Sequence, residues 1–126
     1  RSDVSQTLIN ILYQVVERGT ASAARVHGYS VAGKTGTAKK VKSTGGYYNK
    51  KNITTFASVF PAEAPKYVLL VTLDEPVVLT GLKSRRTAGW TAAPISSEMI
   101  YRAAPLLGVR PNLQNKMNDG LLLVGN

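Results

Sequence analysis

The sequence predicts an α/β fold of the α+β kind: a three-stranded antiparallel sheet flanked by N- and C-terminal helices. Three observations predict it. Residues 3 to 18 and 92 to 107 carry apolar side chains at helical spacing. Three β-branched or apolar runs lie between them. Gly- and Pro-bearing turns separate those runs. At 126 residues and 44% apolar, the chain suits one small domain or part of one and is not disordered by composition.

Each element has its own signal. In residues 3 to 18, Val4, Leu8, Ile11, Leu12 and Val15 form one helical face, Asp3 and Gln6 resemble a capping box, and Gly19 is the stop. Residues 29 to 40 read as a strand. Residues 41 to 52, with Gly45-Gly46 and several basic positions, read as a hairpin loop. Residues 53 to 60 are β-branched and aromatic, hence a second strand. Pro61 to Pro65 is a turn. Residues 66 to 74 are almost continuously apolar, as in a strand buried on both faces. Residues 76 to 90 are expected to form a long loop. In the last helix Thr91 is the expected N-cap and Gly108 the stop, with Ile95, Met99, Ala103 and Leu106 facing inward. Pro105 is expected to kink or tighten its final turn. Residues 1 to 110 form the expected structured portion, and 111 to 126 a tail without period.

Composition excludes some chemistry. The chain has no cysteine, so it has no disulfide, thiol nucleophile or cysteine-ligated metal. No apolar run approaches the roughly 20 residues of a membrane span. The formal charge of +9 gathers at Lys39, Lys40 and Lys42, at Lys50 and Lys51, and at Lys83, Arg85 and Arg86. No nucleic-acid recognition motif accompanies it, and the tyrosines are not laid out as stacking pairs. The charge reads as solvated loops, partly facing anionic lipid or cell wall, and no nucleic-acid partner is expected.

The chemistry concentrates at Lys34-Thr35-Gly36-Thr37. Side chains alternate along a strand, so Thr35 and Thr37 share a face and their hydroxyls can grip one carboxylate. Gly36 lets a ligand backbone lie close, and Lys34 adds positive charge. The same stretch also satisfies a nucleotide-binding rule, since Gly28, Gly33, Lys34 and Thr35 match Gly, four residues, Gly-Lys-Thr. Residues 68 to 75, ending in Asp74-Glu75, look like the strand and acidic pair of such proteins. That reading requires a helix starting at Lys34, where the sequence has poor helix propensity. His27 is the only histidine and has no local sign of a triad. Trp90 reads as packing, and Tyr47 and Tyr48 as loop aromatics or a wall over the motif.

Five stretches together resemble the C-terminal part of the transpeptidase domain of a class B, cell-division type penicillin-binding protein. They are Val15 to Ala21, Tyr29 to Ala38, Ala57 to Ala62, Tyr67 to Pro76 and Thr87 to Pro94. The resemblance implies a piece of the five-stranded penicillin-binding and serine β-lactamase-like fold, with the motif on the outer strand and two further strands beside residues 66 to 74. It implies a peptidoglycan D,D-transpeptidase of septal cell wall that works through an acyl-serine and is bound by penicillins. Lys34 would serve the proton relay. Thr35, Gly36 and Thr37 would bind substrate, and the Thr37 N–H would be an oxyanion donor. No metal or cofactor is implied. Expected partners are stem peptides, β-lactams, the remainder of the domain and other division proteins.

One departure stands out. None of the serines at 2, 5, 22, 30, 43, 58, 84, 96 and 97 has Lys three residues later, and no Ser-x-Asn occurs. The nucleophile is therefore expected in a longer parent, held at the periplasmic side of the inner membrane by an anchor outside this chain. Cut from its neighbours, the strand at 66 to 74 is expected to pair with the remainder of the domain or to dimerise.

Overall fold

The computed structural model describes residues 1–113; the expected tail falls mostly on residues 114–126, outside the described residues. Helix α1 (Ser2–Arg18) leads through a single 3-10 turn (Ser22–Ala24) into strand β1 (Ala32–Val41). Strands β2 (Tyr47–Phe60) and β3 (Tyr67–Asp74) complete an antiparallel sheet of order β1-β2-β3. A small hairpin follows, β4 (Val78–Thr80) with β5 (Lys83–Arg85), and helix α2 (Ala92–Leu106) ends the described fold. The α+β architecture is as expected, and β1, which carries Lys34 to Thr37, is the outer strand.

The register is fixed by what each face buries. Thr35 lies opposite Phe56, and Thr37 opposite Thr54. On that face Thr54, Phe56, Ser58 and Phe60 are buried at alternating positions of β2. They form the main core with Val16 of α1, Val71 of β3, and Ala92, Ala93, Ile100 and Ala104 of α2. The opposite face carries a smaller cluster, Tyr13 of α1 against Ala32 and Ala62, with Ile9, Leu12 and Val59 packed on it. Gly33 shows why glycine is needed in β1. A Cβ there would stand 2.5 Å from the Phe56 ring and 2.8 Å from the Ala57 carbonyl oxygen.

Several expectations need correction. The loop at 41 to 52 shrinks to the turn after Val41, closed by Lys42 N–H donating to Gly46 O at 2.9 Å, because Gly45 and Gly46 adopt left-handed φ of 93° and 74°. Residues 47 to 52 join β2, with Tyr47 opposite Val41 and Asn52 opposite Lys39 across an irregularity in the register, although Asn49, Lys50, Lys51 and Asn52 have poor strand propensity. The loop at 76 to 90 folds partly into the β4–β5 hairpin around Gly81. Strand β3 is not buried on both faces: Val68 and Leu70 are 77% and 63% exposed, while Val71 is buried. Among the described residues it pairs only with β2, so its outer edge is open.

Both helices bury only part of the face that their apolar periodicity predicts: Leu12 and Val15 of α1 and Ala103 of α2 are half-buried, and the rest of that face is exposed. In α1, Val4, Leu8 and Ile11 are exposed, and Tyr13 and Val16 are buried. In α2, Ile95, Met99 and Leu106 are exposed, and the buried face is Ala92, Ala93, Ser96, Ile100 and Ala104. Small residues let α2 sit close to the sheet, which the larger ones would prevent. The expected capping box of α1 does not form, whereas Thr91 is the N-cap of α2 as expected. The N-cap of α1 is Arg1, without a side-chain bond, and Thr91 occupies the α2 N-cap position while its hydroxyl bonds elsewhere. Gly19 ends α1 in extended rather than left-handed conformation, where a Cβ would meet the Val15 carbonyl oxygen at 2.7 Å. Gly108 does adopt the left-handed φ of 74°.

At the far end of the sheet Lys40 Nζ lies 2.5 Å from Asp74 and 2.9 Å from Glu75. The hydrogen bond to Asp74, then that to Glu75, raises the Lys40 ammonium above its ordinary 10.5. A raised lysine contributes stability fully below its unfolded value and loses it as pH climbs through the folded one. Lys40→Met is therefore expected to lower the melting temperature at pH 8, with the gap to the parent narrowing as pH climbs through the raised folded value. Paired thermal melts across pH 8 to 11.5 check this, and a constant gap would refute it.

Candidate active site

A cleft of about 610 Å³ opens beside β1. Its floor is Lys34, Thr35 and Thr37. One wall is the connection after α1, with Gly19, Thr20, Ser22 and Arg25, and the other is the turn Thr87 to Trp90. The lining has two cations, Lys34 and Arg25, and no carboxylate. Such a site favours an anion. Among the described residues no group of three or more His, Asp or Glu is arranged to hold a metal.

Each of these cleft side chains is held by a specific contact. Lys34 Nζ donates to the Thr35 carbonyl oxygen at 2.8 Å, which keeps the ammonium against the strand. The Thr35 hydroxyl faces that of Thr20 at 3.5 Å. The Thr37 hydroxyl accepts a hydrogen bond from the Ala88 backbone N–H at 3.0 Å. That bond engages one lone pair and leaves the hydroxyl proton available to donate. Arg25 Nε donates to Ser22 O at 3.1 Å, and the Ser97 hydroxyl of α2 donates to Arg25 O at 2.7 Å. These bonds tie the Arg25 segment to both the 3-10 turn and α2. The Arg85 guanidinium stacks 4.6 Å over the half-exposed Trp90 ring.

The structure thus brings Lys34, Thr35 and Thr37 to one cleft, with Gly36 exposed between them. Ser22 and Arg25 carried no sequence signal, and Thr20 and the Thr87 to Trp90 turn entered only as part of the resembling stretches, without a site role. The Thr87 to Trp90 turn lies about fifty residues from the motif and meets it only in the fold. Trp90 lines the cleft rather than the core. Tyr48 instead sits under Lys42 and Lys51 at 5.7 and 4.8 Å. The nucleotide-binding alternative fails on geometry. Lys34 lies inside a strand, no helix starts there, and Asp74 and Glu75 are paired with Lys40.

A family model described as the penicillin binding protein transpeptidase domain matches residues 1–100. The chain belongs to that transpeptidase family. It is 37% identical over 111 residues to a peptidoglycan D,D-transpeptidase FtsI homolog of Chlorokybus atmophyticus, covering 88% of this chain and 16% of the relative. It is 38% identical over 109 residues to the stage V sporulation protein D of Bacillus subtilis, covering 86% of this chain and 16% of that protein. Among solved structures it is similar to penicillin binding protein 3 of Mycobacterium tuberculosis complexed with ampicillin. That match has a TM-score of 0.74 and 30% identity over 90% of this chain and 26% of the other. The transpeptidase domain of the Legionella pneumophila FtsI4 D,D-transpeptidase matches with a TM-score of 0.66 and 35% identity, covering 75% of this chain and 33% of that domain chain. The chain spans about a sixth of the length of these curated relatives.

Gly33 and Gly36 of this transpeptidase segment are expected to respond differently to alanine. Gly33→Ala forces a Cβ into Phe56 and should cost about 1–3 kcal/mol of stability. At Gly36 the nearest atom to a new Cβ is Thr55 O at 3.9 Å, so Gly36→Ala should change stability by no more than about 1 kcal/mol. Urea melts of both variants check this, and equal losses would refute it.

Proposed function

We propose that this chain is the motif-strand portion of a peptidoglycan D,D-transpeptidase that crosslinks septal cell wall. The observation that carries this reading is the acid-free cleft in which Lys34, Thr35 and Thr37 converge beside an outer strand. A serine from elsewhere in the parent attacks the terminal D-Ala-D-Ala carbonyl. The peptide C–N bond breaks, terminal D-Ala leaves with the serine proton on its amine, and the acyl group stays on the serine. A stem-peptide amine then attacks the ester, forming the crosslink and returning the proton to the serine. β-Lactams, whose carboxylate mimics that of the dipeptide, acylate the same serine.

In this reading the Thr37 hydroxyl donates to the substrate carboxylate, with Thr35 beside it and Arg25 adding charge. Lys34 sets the field that favours the anion and serves the proton relay. As an outer strand, β1 has backbone groups facing away from β2. The Thr37 N–H acts as an oxyanion donor, a role typically worth about 10²–10³ in rate. Gly36 leaves room for the substrate backbone. The remainder of the domain covers the open edge of β3 and the exposed Val68 and Leu70. The parent works on the periplasmic side of the inner membrane, anchored from outside this segment. No described helix here is long and apolar enough to cross a membrane.

Two outcomes test the reading. Incubated with labelled penicillin, this chain alone should show no covalent adduct by mass spectrometry, whereas the parent enzyme should acquire one label. In the parent, Thr37→Val should slow acylation by roughly tenfold or more, since a hydrogen bond to a charged group is lost, while melting little changed. An adduct on one of this chain's serines, or an unslowed Thr37→Val, would overturn it.

A further inference from the structure

The Thr37 hydroxyl is oriented by a buried chain of hydrogen bonds that starts well below the cleft. Thr91 is 2% exposed and Thr54 is fully buried. Thr91 Oγ1 donates to the Thr87 carbonyl oxygen at 2.9 Å. A threonine hydroxyl has one proton, so the 3.0 Å contact between the Thr54 and Thr91 hydroxyls requires Thr54 to be the donor. The Thr87 carbonyl also accepts from Trp90 N–H at 3.0 Å. That carbonyl and the Ala88 N–H belong to one planar peptide unit. Fixing the oxygen therefore fixes the direction of the N–H, which donates to Thr37 Oγ1 at 3.0 Å. Gly89 closes the turn, where a Cβ would meet the Thr20 carbonyl oxygen at 2.7 Å.

We propose that Thr91 and Thr54 are positioning residues: through the Thr87–Ala88 peptide they hold the Thr37 hydroxyl as a donor aimed at the substrate carboxylate. A hydroxyl left to rotate could turn its proton away from the cleft. The Ala88 N–H occupies one of the three positions around the oxygen and so narrows where that proton can point. Neither positioning residue lines the cleft. Their effect is on carboxylate recognition, not on the acyl transfer itself. The proposal rests on the reading of Thr37 as the carboxylate donor.

The experiment measures acylation rates of the parent enzyme with benzylpenicillin and with its methyl ester, in which the carboxylate is masked. The readout is the acid-to-ester preference, which a general loss of stability does not move. Thr91→Val orphans the buried Thr54 hydroxyl and risks misfolding. The double variant Thr54→Val/Thr91→Val removes both hydroxyls at nearly constant shape and leaves no orphan between them, so it keeps the test valid. The preference should fall roughly three- to tenfold in the double variant and return to the parent value in Thr91→Ser. A folded double variant with undiminished preference, alongside a Thr37→Val variant that loses it, overturns the proposal and leaves the carboxylate reading standing. An undiminished preference in Thr37→Val overturns both.

Discussion

The pairing of β1 with β2 is the constraint on which the rest of the structure depends. Gly33 lacks a side chain, so the Phe56 ring lies against the β1 backbone and the register locks there. Phe56 is fully buried, and burying such a ring contributes about 1.5–3 kcal/mol. A slip by one residue would turn Thr35 and Thr37 to the other face and expose the β2 core residues. The same packing that stabilises the sheet thus decides where the motif hydroxyls point.

From that register the cleft assembles from distant pieces. The face that carries Thr35 and Thr37 also carries Thr54, and Thr54 meets Thr91 at the start of α2. The turn before α2 consequently lies against Thr37. The small residues Ala92, Ala93 and Ser96 let that helix approach closely, and Ser97 reaches across to the Arg25 carbonyl. Core packing and site geometry share residues, so a change at the base of α2 is felt at the motif strand.

The far side of the molecule has the opposite character. Val68 and Leu70 on β3, and Val4, Leu8 and Ile11 on α1, are apolar and exposed. These positions were written in the sequence as core, and their pattern is that of surfaces which expect a neighbour. Apolar periodicity states which face of an element avoids water. It does not state whether the covering partner lies within the same 126 residues.

The sequence by itself determined the order of the two helices and the three main strands, the strand that bears Lys34 to Thr37, and the shared face of Thr35 and Thr37. Local alternation, turn glycines and the motif are enough for these, because each is set by neighbouring residues. Tertiary structure decided the rest. Residues 47 to 52 became strand through pairing with β1 at Tyr47 and Asn52. The inward face of α2 was set by small residues, since proximity to the sheet outweighed the size of Ile95 and Met99. Thr91 gave up its capping bond to serve Thr87 and Thr54. Arg25 and Ala88 entered the site only because distant segments converge beside β1, and that proximity is a property of packing rather than of any local stretch of chain.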